Sequence, residues 1–299
     1  MSNDSAGLVV AVQSLWPEPQ KIKIKIEHGD TSSLAKNQIV TNLASDGEYE
    51  LVIPLKNRQR VPDEIGPFEL KIQAGDDTQK LFVPKRYIAK SYKASNDIKL
   101  DGKLDEWRPE ISLVLDGTQK ILSEKGKKAW KGKNDSSLKM RSCWNDKYLY
   151  FAYEVTDNDI QRHGSPDKMY RGDCMEMFFD TNLMDDLAIG SMDADDFRIN
   201  AGPPEGARFP GSAVSLRTKG VKSQAVKTPA GYNIEVAIPW NLFIKHGAGP
   251  YQGTVIGFTV NLYDRDKQDR RHAHSTFSWA EKPQWWTNTG AWDRLMLIK

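Results

Sequence analysis

Residues 169–180 read Met169-Tyr-Arg-Gly-Asp-Cys-Met-Glu-Met-Phe-Phe-Asp180. From Asp173 onward the run alternates with period two. Asp173, Met175, Met177 and Phe179 point to one side of an extended chain, and Cys174, Glu176, Phe178 and Asp180 to the other. Three large apolar side chains on one face require a core beneath them. Glu176 stands in mid-strand on the opposite face, with Tyr170 and Arg171 just upstream. An aromatic ring beside an outward carboxylate makes a sugar-binding surface. The ring covers the apolar face of a pyranose and the carboxylate accepts hydroxyl hydrogen bonds. The plain alternative is a solvated glutamate on a half-buried strand.

Working outward, strand patterns dominate the whole chain. Lys21-Ile-Lys-Ile-Lys-Ile-Glu27 is a strict alternation with one buried face. Further strands are expected at 38–42, 49–55, 67–73 and 79–83. Turn residues separate them at Gly29-Asp30, Asp46-Gly47, Pro62-Asp63 and Gly75-Asp76-Asp77. This spacing predicts a small Ig/fibronectin-like β-sandwich over residues 1–92, with no binding constellation in it. Trp16 is read as a core or edge residue. Residues 84–100 are basic and patternless, and are expected to link into a second domain over 93–299. There, Leu104 and Trp107 are expected core anchors. Strands are expected at 138–144 and 148–156 around an Asn145-Asp146-Lys147 turn, at 173–180, 197–200, 232–239 and 255–263, and at 295–298. A polar loop precedes Met169. On 197–200, Phe197 and Ile199 face inward and Arg198 and Asn200 outward. On 255–263, Ile256, Phe258, Val260 and Leu262 make the core face and Asn261 points out. The fold class is all-β, two β-sandwich domains.

Composition narrows the function. At 299 residues, 42 basic and 40 acidic side chains nearly cancel, so charge does not suggest a nucleic-acid partner. The apolar runs are too short to span a membrane. The start of the chain has no basic-then-apolar signal-peptide pattern. Cys143 and Cys174 form no metal-ligand pattern; two buried thiols are the expectation, a cross-strand disulfide the alternative. No GxSxG, P-loop, dinucleotide fingerprint or HExxH is present. Asp173 and Glu176 lie on opposite faces and cannot flank one glycosidic bond. Asp173 is read as a residue that opens the strand. Asp264 to Gln268 starts like a calcium loop but has Asp269 where glycine is required.

The segments Asp101-Gly-Lys-Leu-Asp-Glu-Trp107, Trp144-Asn-Asp-Lys-Tyr-Leu-Tyr150, Val155-Thr-Asp157, Arg171-Gly-Asp-Cys-Met-Glu176, Asp196-Phe-Arg-Ile-Asn200, Ile238-Pro-Trp240, Ile256-Gly-Phe258 and Tyr263-Asp264, followed by Trp286 to Leu297, occur in an order that resembles the family 9 carbohydrate-binding modules of the DOMON-like superfamily. The resemblance covers about 95–299. It implies a non-catalytic, DOMON-like β-sandwich that grips a sugar or polysaccharide between two rings. By position, Tyr170 is one ring, where the family has Trp, and Trp286 is the other, with Trp285 competing. Glu176, Arg198, Asn200 and Asn261 form the polar floor, and Arg271 reaches in from a loop. Tyr263 replaces a small polar residue. The resemblance also implies structural calcium, for which Asp193, Asp195 and Asp196 are the candidates, and a catalytic partner in a larger, extracellular protein. Haem, which some relatives of the superfamily hold through Met and His, is not expected: Met175 and Met177 face the core, and His163, His272 and His274 read as surface residues. A protein-interaction module with a degenerate sugar site is the competing reading.

Overall fold

The computed structural model describes residues 7–14, 18–45, 47–56, 61–162, 166–183, 191–204, 219–244, 248–267, 275–280 and 288–299. They form two compact units, divided between Ile88 and Ala89.

The first unit holds β1 (Gly7–Ser14), β2 (Gln20–His28), β3 (Gln38–Leu43), β4 (Gly47–Pro54), β5 (Glu64–Ile65), β6 (Phe68–Ala74) and β7 (Asp77–Val83). One sheet has the order β3-β2-β6-β7; β1 and β4 make a second. The strict alternation of β2 places Ile22, Ile24 and Ile26 in one cluster with Phe68, Leu70 and Ile53 of β4, so the two sheets share a core. The lysines of β2 face the other way, to solvent.

The expected linker is a correction. Residues Arg86–Lys93 form strand β8. Its first residues pair with β5, and Tyr92 and Lys93 pair with β10. Its basic residues hid it, because only Ala89 and Ser91 are fully buried.

The second unit continues with β9 (Leu113–Leu115), a short helix α1 (Glu124–Ala129), β10 (Ser136–Trp144), β11 (Tyr148–Asp157), β12 (Cys174–Asp180), β13 (Phe197–Ala201), β14 (Lys222–Thr228), β15 (Gly231–Pro239), β16 (Val255–Asp264), β17 (Ser275–Ser278) and β18 (Asp293–Ile298). The hydrogen-bonded path runs β13-β12-β16-β18-β8-β10-β11-β15-β14, with β17 also on β16. This path folds back on itself as a sandwich. Phe151 of β11 stands 5.4 Å from Phe258 of β16 and 5.8 Å from Phe179 of β12, ring to ring. Phe197 stacks on Phe179 at 4.9 Å, and Phe243 meets the same ring edge-on at 5.7 Å. The inward residues Ile256, Phe258, Val260 and Leu262 are buried, as their alternation requires. The sandwich is not wholly antiparallel, since β8 and β10 run parallel. Strand β9, Leu-Val-Leu, is too short to stand out in the sequence, and strand β14 and helix α1 carry too few apolar residues to do so. A 3-10 segment, Pro166–Arg171, follows the polar loop.

The Asp101–Trp107 segment is held by one buried carboxylate. Glu235 accepts from Trp107 Nε1 at 2.7 Å and from the backbone N–H of Asp101 at 2.8 Å and of Gly102 at 2.5 Å. Gly102 has φ 79°, and a Cβ there would meet Val226 Cγ2 at 2.1 Å. Glycine is therefore required at this turn. Cys143 and Cys174 are both buried and unpaired by disulfide. Burial pushes the Cys143 thiol up to about 12.

Candidate carbohydrate site

The outer face of β12 and its neighbours carries a row of polar residues. Pairing sets Glu176 opposite Asn200 on β13 and opposite Asn261 on β16, and Asn261 opposite Ser278 on β17. The row Asn200–Glu176–Asn261–Ser278 thus crosses four strands on one face. Directly paired residues lie about 5 Å apart, so these side chains form one continuous floor.

Glu176 is 2% exposed. Its Oε1 accepts from Arg198 Nη1 at 3.2 Å and its Oε2 accepts from Tyr263 Oη at 2.9 Å. Burial raises its carboxyl above the ordinary glutamate value; Arg198 and the Tyr263 hydroxyl pull it part of the way back. The Tyr263 hydroxyl is itself raised, first by burial and then by the charge of Glu176. Arg198 leaves part of its guanidinium in solvent, with 43% of its side chain exposed.

The amides of Asn200 and Asn261 and the hydroxyl of Ser278 are buried without a hydrogen-bond partner among the described residues. Buried polar groups in folded proteins almost always have partners. Two asparagines and a serine left open, side by side with a fixed carboxylate, form a preset array of donors and acceptors. That array matches a ligand with several hydroxyls. Next to it the face turns apolar. Phe178 packs on Trp292 at 5.5 Å, with Ala280, Ala291 and the half-buried Tyr263 around them. Tyr170, half-exposed, stands 6.3 Å from Tyr263, tilted by 54°.

The expected floor residues Glu176, Arg198, Asn200 and Asn261 are brought together, with Tyr170 at the edge. Trp285, Trp286 and Arg271 lie outside the described residues, as do Trp16, His163, His272 and His274. Two participants were missed. Tyr263 was read only as a departure, yet its hydroxyl holds Glu176. Ser278 belongs to a four-residue strand whose alternation is too short to read.

The carboxylate clusters require a correction. Asp193 is exposed, and its Oδ1 accepts from the Asp195 N–H at 3.0 Å, closing a turn. The third member beside Asp195 and Asp196 is instead Asp180 of β12, with carboxylate oxygens within 4.8 Å of one another. Asp180 is accommodated because its partner across β16 is Gly257, where a Cβ would lie 2.7 Å from the aspartate Cβ. A second cluster joins Asp157, Asp173 and Asp264, at the ends of β11, β12 and β16. Asp173, expected merely to open its strand, is 1% exposed there. It accepts from the N–H of Arg265 at 2.7 Å and from that of Gln161. Burial and the neighbouring carboxylates push both Asp157 and Asp173 upward. All six carboxylates are buried, and each trio brings oxygen donors close enough together for one hard, oxygen-seeking cation to fit.

Residues 100–299 match the family model "Carbohydrate family 9 binding domain-like". The chain belongs to that family. Endo-1,4-beta-xylanase A of Thermoanaerobacterium saccharolyticum is 28% identical over 199 residues, which is 66% of this chain and 15% of that enzyme. Exoglucanase XynX of Acetivibrio thermocellus is likewise 28% identical over 199 residues, 66% of this chain and 16% of that protein. This family 9 chain therefore spans about one-seventh of the length of these relatives. Among solved structures, a family 9 module from Caldicellulosiruptor kristjanssonii in complex with cellotriose matches with TM-score 0.52 at 20% identity, over 71% of this chain and 93% of that one. The same module in complex with glucose matches with TM-score 0.52 at 19% identity. At these identities the likeness establishes the shared sandwich.

Proposed function

We propose that the family 9 unit binds a carbohydrate on the outer face of β12, β13, β16 and β17, and performs no chemistry on it. The observation that carries this reading is the row Asn200–Glu176–Asn261–Ser278, in which a fixed carboxylate is flanked by buried amides that have no hydrogen-bond partner among the described residues. Glu176 accepts from sugar hydroxyls, the free donors of Arg198 give to them, and each asparagine does both. Tyr170 and a C-terminal tryptophan, Trp286 or Trp285, would cover the ring faces at about 1 kcal/mol per ring beyond burial. Hydrolysis of a glycosidic bond needs two carboxylates flanking it. Asp173, the nearest acid in sequence, sits in the interior cluster instead.

Because the xylanase and exoglucanase relatives are far longer, the module is read as the targeting part of an extracellular polysaccharide-processing protein. Cellotriose and glucose, named with the Caldicellulosiruptor module, are the first ligands to try. The test is a calorimetric titration of the protein with glucose, cellotriose and xylotriose. Saturable binding to at least one, lost in Glu176→Ala and Arg198→Ala variants that keep the native circular dichroism, supports the reading. A flat response to all three refutes it and shifts weight to a protein-interaction role. Structural calcium is proposed at the Asp157–Asp173–Asp264 and Asp180–Asp195–Asp196 clusters, whose donors are all oxygen. Chelation should lower the thermal midpoint, and added Ca²⁺ should restore it. An unchanged midpoint withdraws the ion.

A further inference from the structure

The solvent face of the first unit's sheet carries a lysine grid that nothing in the family 9 unit accounts for. Lys21, Lys23 and Lys25 line the exposed side of β2. Pairing places Lys25 opposite Lys71 on β6, and Lys71 opposite Lys80 on β7. Same-face neighbours are about 7 Å apart along a strand and about 5 Å apart across strands. Five ammonium groups therefore share one flat patch. Lys80 is paired with Glu69 at 2.5 Å and Glu27 at 3.8 Å. Lys21, Lys23, Lys25 and Lys71 meet no carboxylate among the described residues.

Two observations separate this patch from an ordinary solvated face. Residues 1–88 contain eleven basic and twelve acidic side chains, so the basic face arises by segregation and not from an excess of lysine. Lysine also guards sheet edges against aggregation, but β2 is an inner strand in the order β3-β2-β6-β7. Edge protection explains Lys80 and leaves Lys21, Lys23 and Lys25 without a reason. Like charges set directly opposite each other destabilise a sheet, and a polyanion lying across them removes that cost. Phe82, 67% exposed, lies on this same face of β7, opposite Glu69, and Val40, 49% exposed, lies opposite Lys23. An exposed ring among cations presents a stacking surface for a pyranose whose carboxylate meets a lysine.

We infer that this face is a second binding surface, for an acidic, uronate-bearing polysaccharide. The choice of a sugar polymer over other polyanions rests on the sugar-binding reading of residues 100–299; the anion-binding face does not.

The experiment measures binding of the full chain to polygalacturonate at low and high salt. Binding is expected at low ionic strength and should weaken steeply with salt. Each lysine lost should cost roughly fivefold in affinity, so a Lys23→Glu/Lys71→Glu double variant, which removes two charges and adds two opposite ones, should lose more than roughly 25-fold. A Lys23→Gln/Lys71→Gln variant, which only removes charge, should lose less and serves as the folding control, and Phe82→Ala should weaken binding several-fold. Glu176→Gln should leave it intact, while the lysine variants should leave cellotriose binding intact, so the two sites fail separately. Polygalacturonate affinity unchanged by the lysine reversals, or a DNA duplex bound more tightly than polygalacturonate, overturns the inference.

Discussion

Asn261→Leu should make this protein more stable and a worse sugar binder at once. Asn261 is fully buried, and both its Oδ1 and Nδ2 lack a partner among the described residues. A buried amide without a partner costs about 1–3 kcal/mol. Leucine is nearly isosteric, so the substitution recovers that cost with little change in packing. Glu176 loses nothing, since Arg198 and Tyr263 already hold its two oxygens. For a unit of this size, Ala89–Lys299, each kcal/mol moves the thermal midpoint by about 2–4 °C. The expected rise is therefore about 2–12 °C. In the complex, the same leucine leaves a sugar hydroxyl buried and unpaired, again about 1–3 kcal/mol, or about 5- to 150-fold in Kd. Calorimetric unfolding and titration on one preparation read both effects. A lowered midpoint with unchanged affinity would refute the reasoning, because it would mean that the amide is satisfied in the free protein and idle in the complex.

Three further outcomes follow from the same geometry. The folded Glu176 carboxyl lies above the unfolded value, so its contribution to stability is complete below the unfolded pKa and is lost as pH rises through the folded one. Sugar affinity, which needs the ionised acceptor, should fall as pH drops through that raised value, while Glu176→Gln should bind weakly with no such step; titrations from pH 4 to 8 check both. Glu235→Ala strands the Trp107 indole N–H and two backbone donors, which should cost about 3 kcal/mol or more in unfolding free energy and leave cellotriose affinity unchanged. Asp173→Asn should reduce the response of the thermal midpoint to Ca²⁺; an undiminished response would place the ion elsewhere.

Much of the site could be read from one dimension. Period-two alternation fixes which side chains share a face, because a strand turns each residue to the opposite side of its neighbour. Glu176, Arg198, Asn200 and Asn261 were therefore separable from Met177, Phe179, Ile199 and Val260 before any pairing was known. Strand β8 was not legible, because a strand that is buried at only two positions has no apolar rhythm to show. Asp193 groups with Asp195 and Asp196 in the sequence because they are near neighbours there, whereas the carboxylate that lies beside Asp195 and Asp196 in space, Asp180, comes from the far end of β12.

What the sequence by itself determined, then, is the all-β class, the two-part organisation and the outward parity of the floor residues, since these depend on local periodicity alone. Tertiary structure decided which of those outward residues meet. Register set Asn200, Glu176, Asn261 and Ser278 in one row, swung the Tyr263 hydroxyl onto Glu176, and drew Asp157, Asp173 and Asp264 together from three strands. The physical reason is that a strand's faces follow from its own side chains, whereas its register is chosen by the shared hydrophobic core, to which residues distant in sequence contribute jointly.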